Sequence, residues 1–162
     1  LALGADSFQK TDPEFFDRMI DTNVKGLVRV TRALVPFLKE QDSSHIVNIG
    51  SIAGRWVYPG GSVYCATKHA VKAISQSLRM DLLGKAIRVT NISPGAVETE
   101  FSEVRWNDKA RAKAFYEDFI PLSADDIADS IIFATSRPAH LNIAEMVLMP
   151  TVQASANHLF RG

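Results

Sequence analysis

The chain alternates between long segments of helical period and short runs of strand formers, and this alternation limits what it can fold into. Thr11-Asp12-Pro13-Glu14 reads as a capping box, with an acid three residues after the threonine and proline in the first turn. Phe15, Phe16, Met19, Ile20 and Val24 follow at helical spacing, and Leu27, Val28, Leu34, Val35 and Leu38 carry the pattern on. One long helix is predicted over roughly 12–40, bent near Gly26 or Pro36. Residues 45–50 are short and mostly apolar, the mark of a buried strand. Residues 54–61, rich in Gly and Pro, predict a loop. A second long helix is expected over 62–83, stopped by Gly84. The next strand covers 87–92 and is broken by Pro94-Gly95. Residues 96–106 are expected as loop, 107–119 as an exposed helix, 124–136 as a helix capped near Ser123, and 143–149 as a last strand.

Alternation of this kind builds a parallel sheet with helices on both faces. The expected class is α/β, a Rossmann-like doubly wound parallel sheet. Three strands are few for such a sheet, and the opening Leu-Ala-Leu-Gly-Ala reads as a chain entered in mid-course, so strands upstream of Leu1 are expected. The 162 residues fit one domain. Eighteen basic residues balance eighteen acidic ones, without the basic excess of a nucleic-acid binder. No apolar run approaches the ~18 residues that span a bilayer, and the start carries no secretory signal. A single cysteine, Cys65, has no internal disulfide partner, which points to a reducing cytoplasm. His45, His69, His140 and His158 show no ligand spacing, so no metal is expected.

The chemistry lies between Asn48 and Lys68. Tyr64 and Lys68 are four residues apart on a predicted helix and therefore share a face. A free tyrosine titrates near ~10, too high for acid/base work at neutral pH, and a nearby ammonium lowers that value. Ser51 ends the preceding strand, where parallel sheets place their ligands. A Tyr–Lys–Ser trio suits proton transfer at an alcohol or carbonyl oxygen. The carbon half of such a reaction needs a hydride, which only a cofactor supplies. Gly50-Ser51-Ile52-Ala53-Gly54 is not a nucleophile elbow, because the serine is not central, and this argues against a hydrolase.

Asn48-Ile49-Gly50-Ser51-Ile52-Ala53-Gly54, then Tyr64-Cys65-Ala66-Thr67-Lys68, then Ser93-Pro94-Gly95-Ala96-Val97-Glu98-Thr99 resemble three successive motifs of the short-chain dehydrogenase/reductase family. Asn23, in Asp21-Thr22-Asn23-Val24-Lys25-Gly26, matches a fourth. Ser51 stands thirteen residues before Tyr64, and the four elements occur in the family's order over essentially the whole chain. The resemblance implies that Tyr64 is the general acid/base. Lys68 would lower its pKa and bond the nicotinamide ribose, Ser51 would orient the substrate oxygen, and Asn23 would hold a water relaying protons from Lys68. Pro94 and Gly95 would let the backbone pass close to the nicotinamide, while Val97 and Thr99 bond its carboxamide.

The family's glycine-rich phosphate loop, and the residue that selects the cofactor, are absent from the sequence. The resemblance therefore implies that residues 1–162 are the C-terminal part of a single Rossmann-fold oxidoreductase domain.

A narrower similarity lies in Thr99-Glu100-Phe101-Ser102-Glu103-Val104-Arg105 and in the tail 153–162. Both resemble a subgroup of NADP-dependent 3-hydroxy acid dehydrogenases acting on serine, allo-threonine and related acids such as 3-hydroxyisobutyrate. It implies NADP as cofactor, with NAD left open. A substrate carboxylate calls for an arginine. Arg105 is the first candidate and Arg55 the second. Apolar residues on more than one face of the second helix (Val71, Ile74, Leu78, Met80, Leu82, Leu83) need a further burial surface, and the family resemblance implies that the two long helices supply it in a homodimer or homotetramer. The competing expectations are a reductase of other ketones or sugars, and a non-catalytic half-domain with an interaction role.

Overall fold

The computed structural model describes residues 1–162 throughout. The elements are α1 (Pro13–Ile20), α2 (Leu27–Leu38), β1 (Ser44–Ile49), α3 (Ser62–Asp81), β2 (Ile87–Pro94), α4 (Phe101–Trp106), α5 (Lys109–Phe115), α6 (Ala124–Thr135) and β3 (Glu145–Leu148). The strands form one sheet in the order β1-β2-β3, all parallel. This is the α/β parallel arrangement that the alternation predicts.

The central strand carries the core. Val89, Thr90 and Ile92 in β2 are fully buried. Two of its buried polar side chains are bonded inside the fold: the Thr90 hydroxyl donates to the Ile143 carbonyl at 2.7 Å, and Asn91 Nδ2 donates to Ser93 Oγ at 2.9 Å. Asn142 precedes β3 and pairs with Val89 at both backbone groups, at 2.7 and 3.2 Å, so a side chain continues the ladder where the strand has not yet begun. Arg88 donates to the carbonyls of Thr135 and Arg137 at 3.0 Å each and closes the C-terminal end of α6.

Several boundaries differ from the sequence expectation, each for a local reason. The first long helix is interrupted at Asp21–Gly26, a π-helical stretch, while Pro36 lies inside α2. Its N-cap is Asp12, whose carboxylate accepts from the Glu14 N–H at 2.9 Å; the Thr11 hydroxyl turns back to the Asp6 and Ser7 carbonyls. β2 runs on through Pro94, because β1 has ended opposite Ile92 and no ladder bond there needs the missing N–H. Residues 96–106 are not all loop: α4 forms at their end, closed by Asn107 in the left-handed region at φ 49°.

The contact that positions the site lies between the turn after β1 and helix α3. Ile52–Gly54 makes one 3-10 turn packed on α3. A Cβ on Gly54 would stand 2.7 Å from the Lys68 carbonyl oxygen and 3.0 Å from its carbon. Only glycine lets the two backbones approach so closely. Gly54→Ala is therefore expected to force the turn off α3 and to lower stability by roughly 1–3 kcal/mol. A urea unfolding midpoint unchanged from wild type would refute the close-packing account.

Candidate active site

The ends of β1 and β2, the N-terminal half of α3 and the segment 96–106 enclose a cleft of about 610 Å³. Ser51, Tyr64, Lys68, Pro94, Gly95, Val97, Thr99 and Arg105 all line it. Eight of the ten residues singled out from the sequence thus face one space at the strand ends, where open parallel sheets bind ligands.

Ser51 is extended, at φ −173° and ψ 159°, and its hydroxyl accepts from the Ala53 N–H at 3.1 Å. This side-chain cap fixes the oxygen as the chain leaves the sheet. Tyr64 lies in the first turn of α3 and is buried. The Ser51 hydroxyl donates to the Pro94 carbonyl at 3.5 Å and stands where it favours the Tyr64 phenolate. Phe101 packs against the Tyr64 ring at 5.8 Å between centroids. Lys68 follows one turn later, with its ammonium 5.9 Å from the centre of the Tyr64 ring and donating to the Ile49 carbonyl at 2.9 Å.

Residues 3–110 match the family described as short chain dehydrogenase. The chain belongs to that family. It is 46% identical over 158 residues to the NADP-dependent 3-hydroxy acid dehydrogenase YdfG of Escherichia coli, covering 96% of this chain and 64% of that protein. It is 48% identical over 156 residues to a sulfoacetaldehyde reductase of Chromohalobacter salexigens, covering 95% of this chain and 62% of that one. Among solved structures, the closed form of a serine dehydrogenase complexed with NADP+ superposes with a TM-score of 0.94 at 44% identity, over 100% of this chain and 66% of the other. The chain spans a little under two thirds of these relatives' length.

The family's Tyr–Lys–Ser set is therefore together, but its electrostatics differ from the sequence expectation. Burial raises the Tyr64 pKa; the Ser51 hydrogen bond and the Arg105 guanidinium act against it. The cation opposing burial at the phenol is thus Arg105, 5.8 Å from the ring centre, while Lys68 is turned to the end of β1. Burial also lowers Lys68, to about 8.

Asn23 is the residue the structure does not bring into the cleft. Its amide lies in the π-helical stretch, donating to the Leu1 carbonyl at 2.7 Å and to the Thr67 hydroxyl at 3.1 Å. Thr67 in turn donates to the Tyr64 carbonyl at 2.7 Å. Asn23 thus braces the helix that carries Tyr64, and its amide is occupied by protein partners. Arg55, the second carboxylate candidate, is likewise removed: it pairs with Glu145, with contacts of 2.6 and 3.3 Å, outside the cleft. At Gly95 the space a side chain would fill belongs to Gln153, whose Oε1 accepts from the Ala96 N–H at 2.9 Å.

Sequence reasoning missed Tyr58, Gln153 and the wall formed by Phe101, Trp106, Phe115 and Tyr116, all lining the cleft. Tyr116 donates to the Val97 carbonyl at 2.7 Å and so fixes the backbone there. The available signal was an aromatic residue just before Pro59-Gly60-Gly61 and a run of four aromatics over 106–119 in a segment otherwise read as polar helix.

The lowered Lys68 pKa sets a direction for pH dependence. Below about 8 the lysine is charged in folded and unfolded chains alike, and the folded one bears the full burial penalty. Between that value and the ordinary 10.5, the unfolded chain holds the proton and the folded chain does not, so Lys68 contributes increasing stability as pH rises. Lys68→Met is expected to be relatively more stable than wild type at pH 7 and to lose that advantage by pH 10. Melting temperatures of both proteins across this range check it; a constant difference would contradict the burial of the ammonium.

Proposed function

We propose that residues 1–162 act within one Rossmann-type domain of a dehydrogenase that moves hydride between NADP and a small 3-hydroxy acid. The observation that carries this is the convergence of Ser51, Tyr64, Lys68 and Arg105 on a single cleft at the strand ends. The names of the relatives support the substrate class. Serine and the reduced form of sulfoacetaldehyde share one pattern: a hydroxyl, two carbons and an acid group. Both are small, and both need a cation at the end opposite the reacting oxygen.

The cleft fits a nicotinamide on its own evidence. The Val97 N–H has no protein acceptor, and the Thr99 hydroxyl, which accepts from the Phe101 N–H at 3.3 Å, keeps its proton free. These two would hold the carboxamide. Lys68 spends one of its three protons on the Ile49 carbonyl and keeps two for ribose hydroxyls. When bound, the nicotinamide supplies the carbon that accepts or returns the hydride. Relatives named for NADP favour that cofactor over NAD.

The chain's own residues handle the proton. In the oxidising direction, Tyr64 takes the substrate hydroxyl proton while Ser51 holds the same oxygen. In the reducing direction, Tyr64 returns that proton to the carbonyl oxygen. Arg105 holds the acid group and, by its charge, eases ionisation of the phenol. A homo-oligomer in the cytoplasm belongs to the same proposal; it is supported by exposed apolar residues on and beside the long helices (Val30, Phe37, Met80, Leu83) and by the lone buried thiol of Cys65.

Tyr64→Phe keeps the ring in its packed site and removes the acid/base. Turnover of serine with NADP+ is expected to fall about 10²–10⁴-fold, with a folded circular-dichroism spectrum. Near-normal turnover would reject Tyr64 as the proton carrier. Arg105→Ala is expected to raise KM for serine well above its effect on a neutral alcohol; equal effects on the two substrates would remove the acid-clamp role.

A further inference from the structure

Tyr58 is a cleft residue that no motif assigns, and its placement is specific. It lies in the loop before α3, in Trp56-Val57-Tyr58-Pro59-Gly60-Gly61. Gly60 takes the left-handed region at φ +73°, and a Cβ there would stand 2.3 Å from the Ala5 carbonyl oxygen. A Cβ on Gly61 would stand 2.3 Å from Cε2 of the Tyr58 ring. The two glycines fold the loop back so that the ring lies flat over Gly61, packed against the cluster formed by Ala2, Met19, Ala53, Tyr64 and Cys65.

The hydroxyl of this ring is held from one side only. Arg105 Nη1 donates to it at 3.1 Å, with the guanidinium carbon 5.3 Å from the ring centre. For its own proton the hydroxyl has the Cys65 sulfur nearby, a weak acceptor. Burial raises the Tyr58 pKa far above the ordinary phenol range, so the group stays a neutral donor at any working pH. Arg105 Nε is committed to the Gly4 carbonyl at 3.1 Å, which leaves Nη2 without a protein acceptor. Trp106, beside it on α4, also lines the cleft, and its Nε1 is buried with no acceptor. A buried donor without a partner is unfavourable, and Trp106 Nε1 is such a donor, beside the unspent edge of Arg105 and the weakly held Tyr58 proton.

We propose that Tyr58 determines specificity for acidic substrates, its hydroxyl and the free edge of Arg105 together donating to the carboxylate or sulfonate remote from the reacting oxygen. This rests on the dehydrogenase reading of the same site and deepens it. The acid group replaces the thiol as acceptor of the Tyr58 proton and takes a second hydrogen bond from Nη2. A neutral alcohol has no such group, and the paired donors give it no advantage.

Two measurements on the full-length protein test this. The first is binding without turnover: 3-hydroxypropionate is titrated into wild type and Tyr58→Phe, with the fluorescence of the cleft residue Trp106 as readout. Tyr58→Phe keeps the packed ring, and a melting temperature close to wild type confirms the fold. Loss of a hydrogen bond to an anion is expected to weaken binding about tenfold. The second measurement is kcat/KM for 3-hydroxypropionate and for 1-propanol with NADP+. The variant is expected to lose about tenfold in the ratio of the two. Unchanged binding of the acid, or an equal loss on both substrates, overturns the assignment. Weakened binding by Tyr58→Phe in a protein that oxidises neither compound would uphold the acid site and reject the dehydrogenase reading instead.

Discussion

The backbone approach at Gly54 is the constraint on which the cleft depends. A single 3-10 turn leaves β1 and lies on α3 at Lys68, with no room for even a methyl group between them. Gly50 tightens the other side of the same turn, since a Cβ there would stand 2.5 Å from Asn91 Oδ1. Ser51 therefore stands between two positions that tolerate no side chain. Its hydroxyl is set by the strand on one side and the helix on the other, while the helix sets Tyr64. The Ser51–Tyr64 pairing is a consequence of packing and needs no flexible loop to assemble it. This suits a group that must hold one oxygen within hydrogen-bond reach of another.

Burial gives the site reach and also a difficulty. Removing water strengthens hydrogen bonds and charges inside the cleft. The same desolvation raises Tyr64 and lowers Lys68, so both groups are pushed toward their neutral forms. A neutral phenol is the form that gives a proton to a carbonyl oxygen. The reverse step needs the phenolate, and the neighbours that favour it are Ser51 and Arg105. Arg105 thus serves both ends of the cleft, because its guanidinium lies within 6 Å of the Tyr58 and Tyr64 ring centres. An acid group bound to Arg105 would offset part of its pull on Tyr64.

Periodicity and spacing made the framework legible. The alternation of helix and strand marked a parallel sheet, and the Tyr-x-x-x-Lys spacing with Ser51 upstream marked the chemistry, because both depend on local geometry that repeats along the chain. What stayed hidden depends on contacts between distant segments. Nothing near Arg105 in sequence announces that it meets Gly4, 101 positions away, or Tyr58, 47 positions away. Nothing near Arg55, the second acid-clamp candidate, announces that Glu145, 90 positions on, holds it. Asn23 matched a family motif, but its amide reaches Thr67 rather than the cleft. The short helix α4 was missed because its six residues carry too little periodicity to stand out.

Preorganisation separates Arg105 from an ordinary surface cation. Its carbonyl accepts from the Gly4 N–H at 2.9 Å while its Nε donates to the Gly4 carbonyl at 3.1 Å, a reciprocal pair that fixes both main chain and side chain. Gly4 adopts φ +70° to meet it, a conformation open to glycine with little strain. Tyr58 then holds the far edge of the guanidinium. A free arginine would lose roughly 1 kcal/mol or more of rotamer freedom on binding an anion; here folding has already fixed the side chain. The acid end of a substrate would meet donors already aligned, and its hydroxyl end would meet Ser51 and Tyr64, also fixed by packing. Discrimination between an acid and a neutral alcohol then follows from unpaired donors at one end, since a ligand that leaves them unpaired forfeits what the fold has prepared.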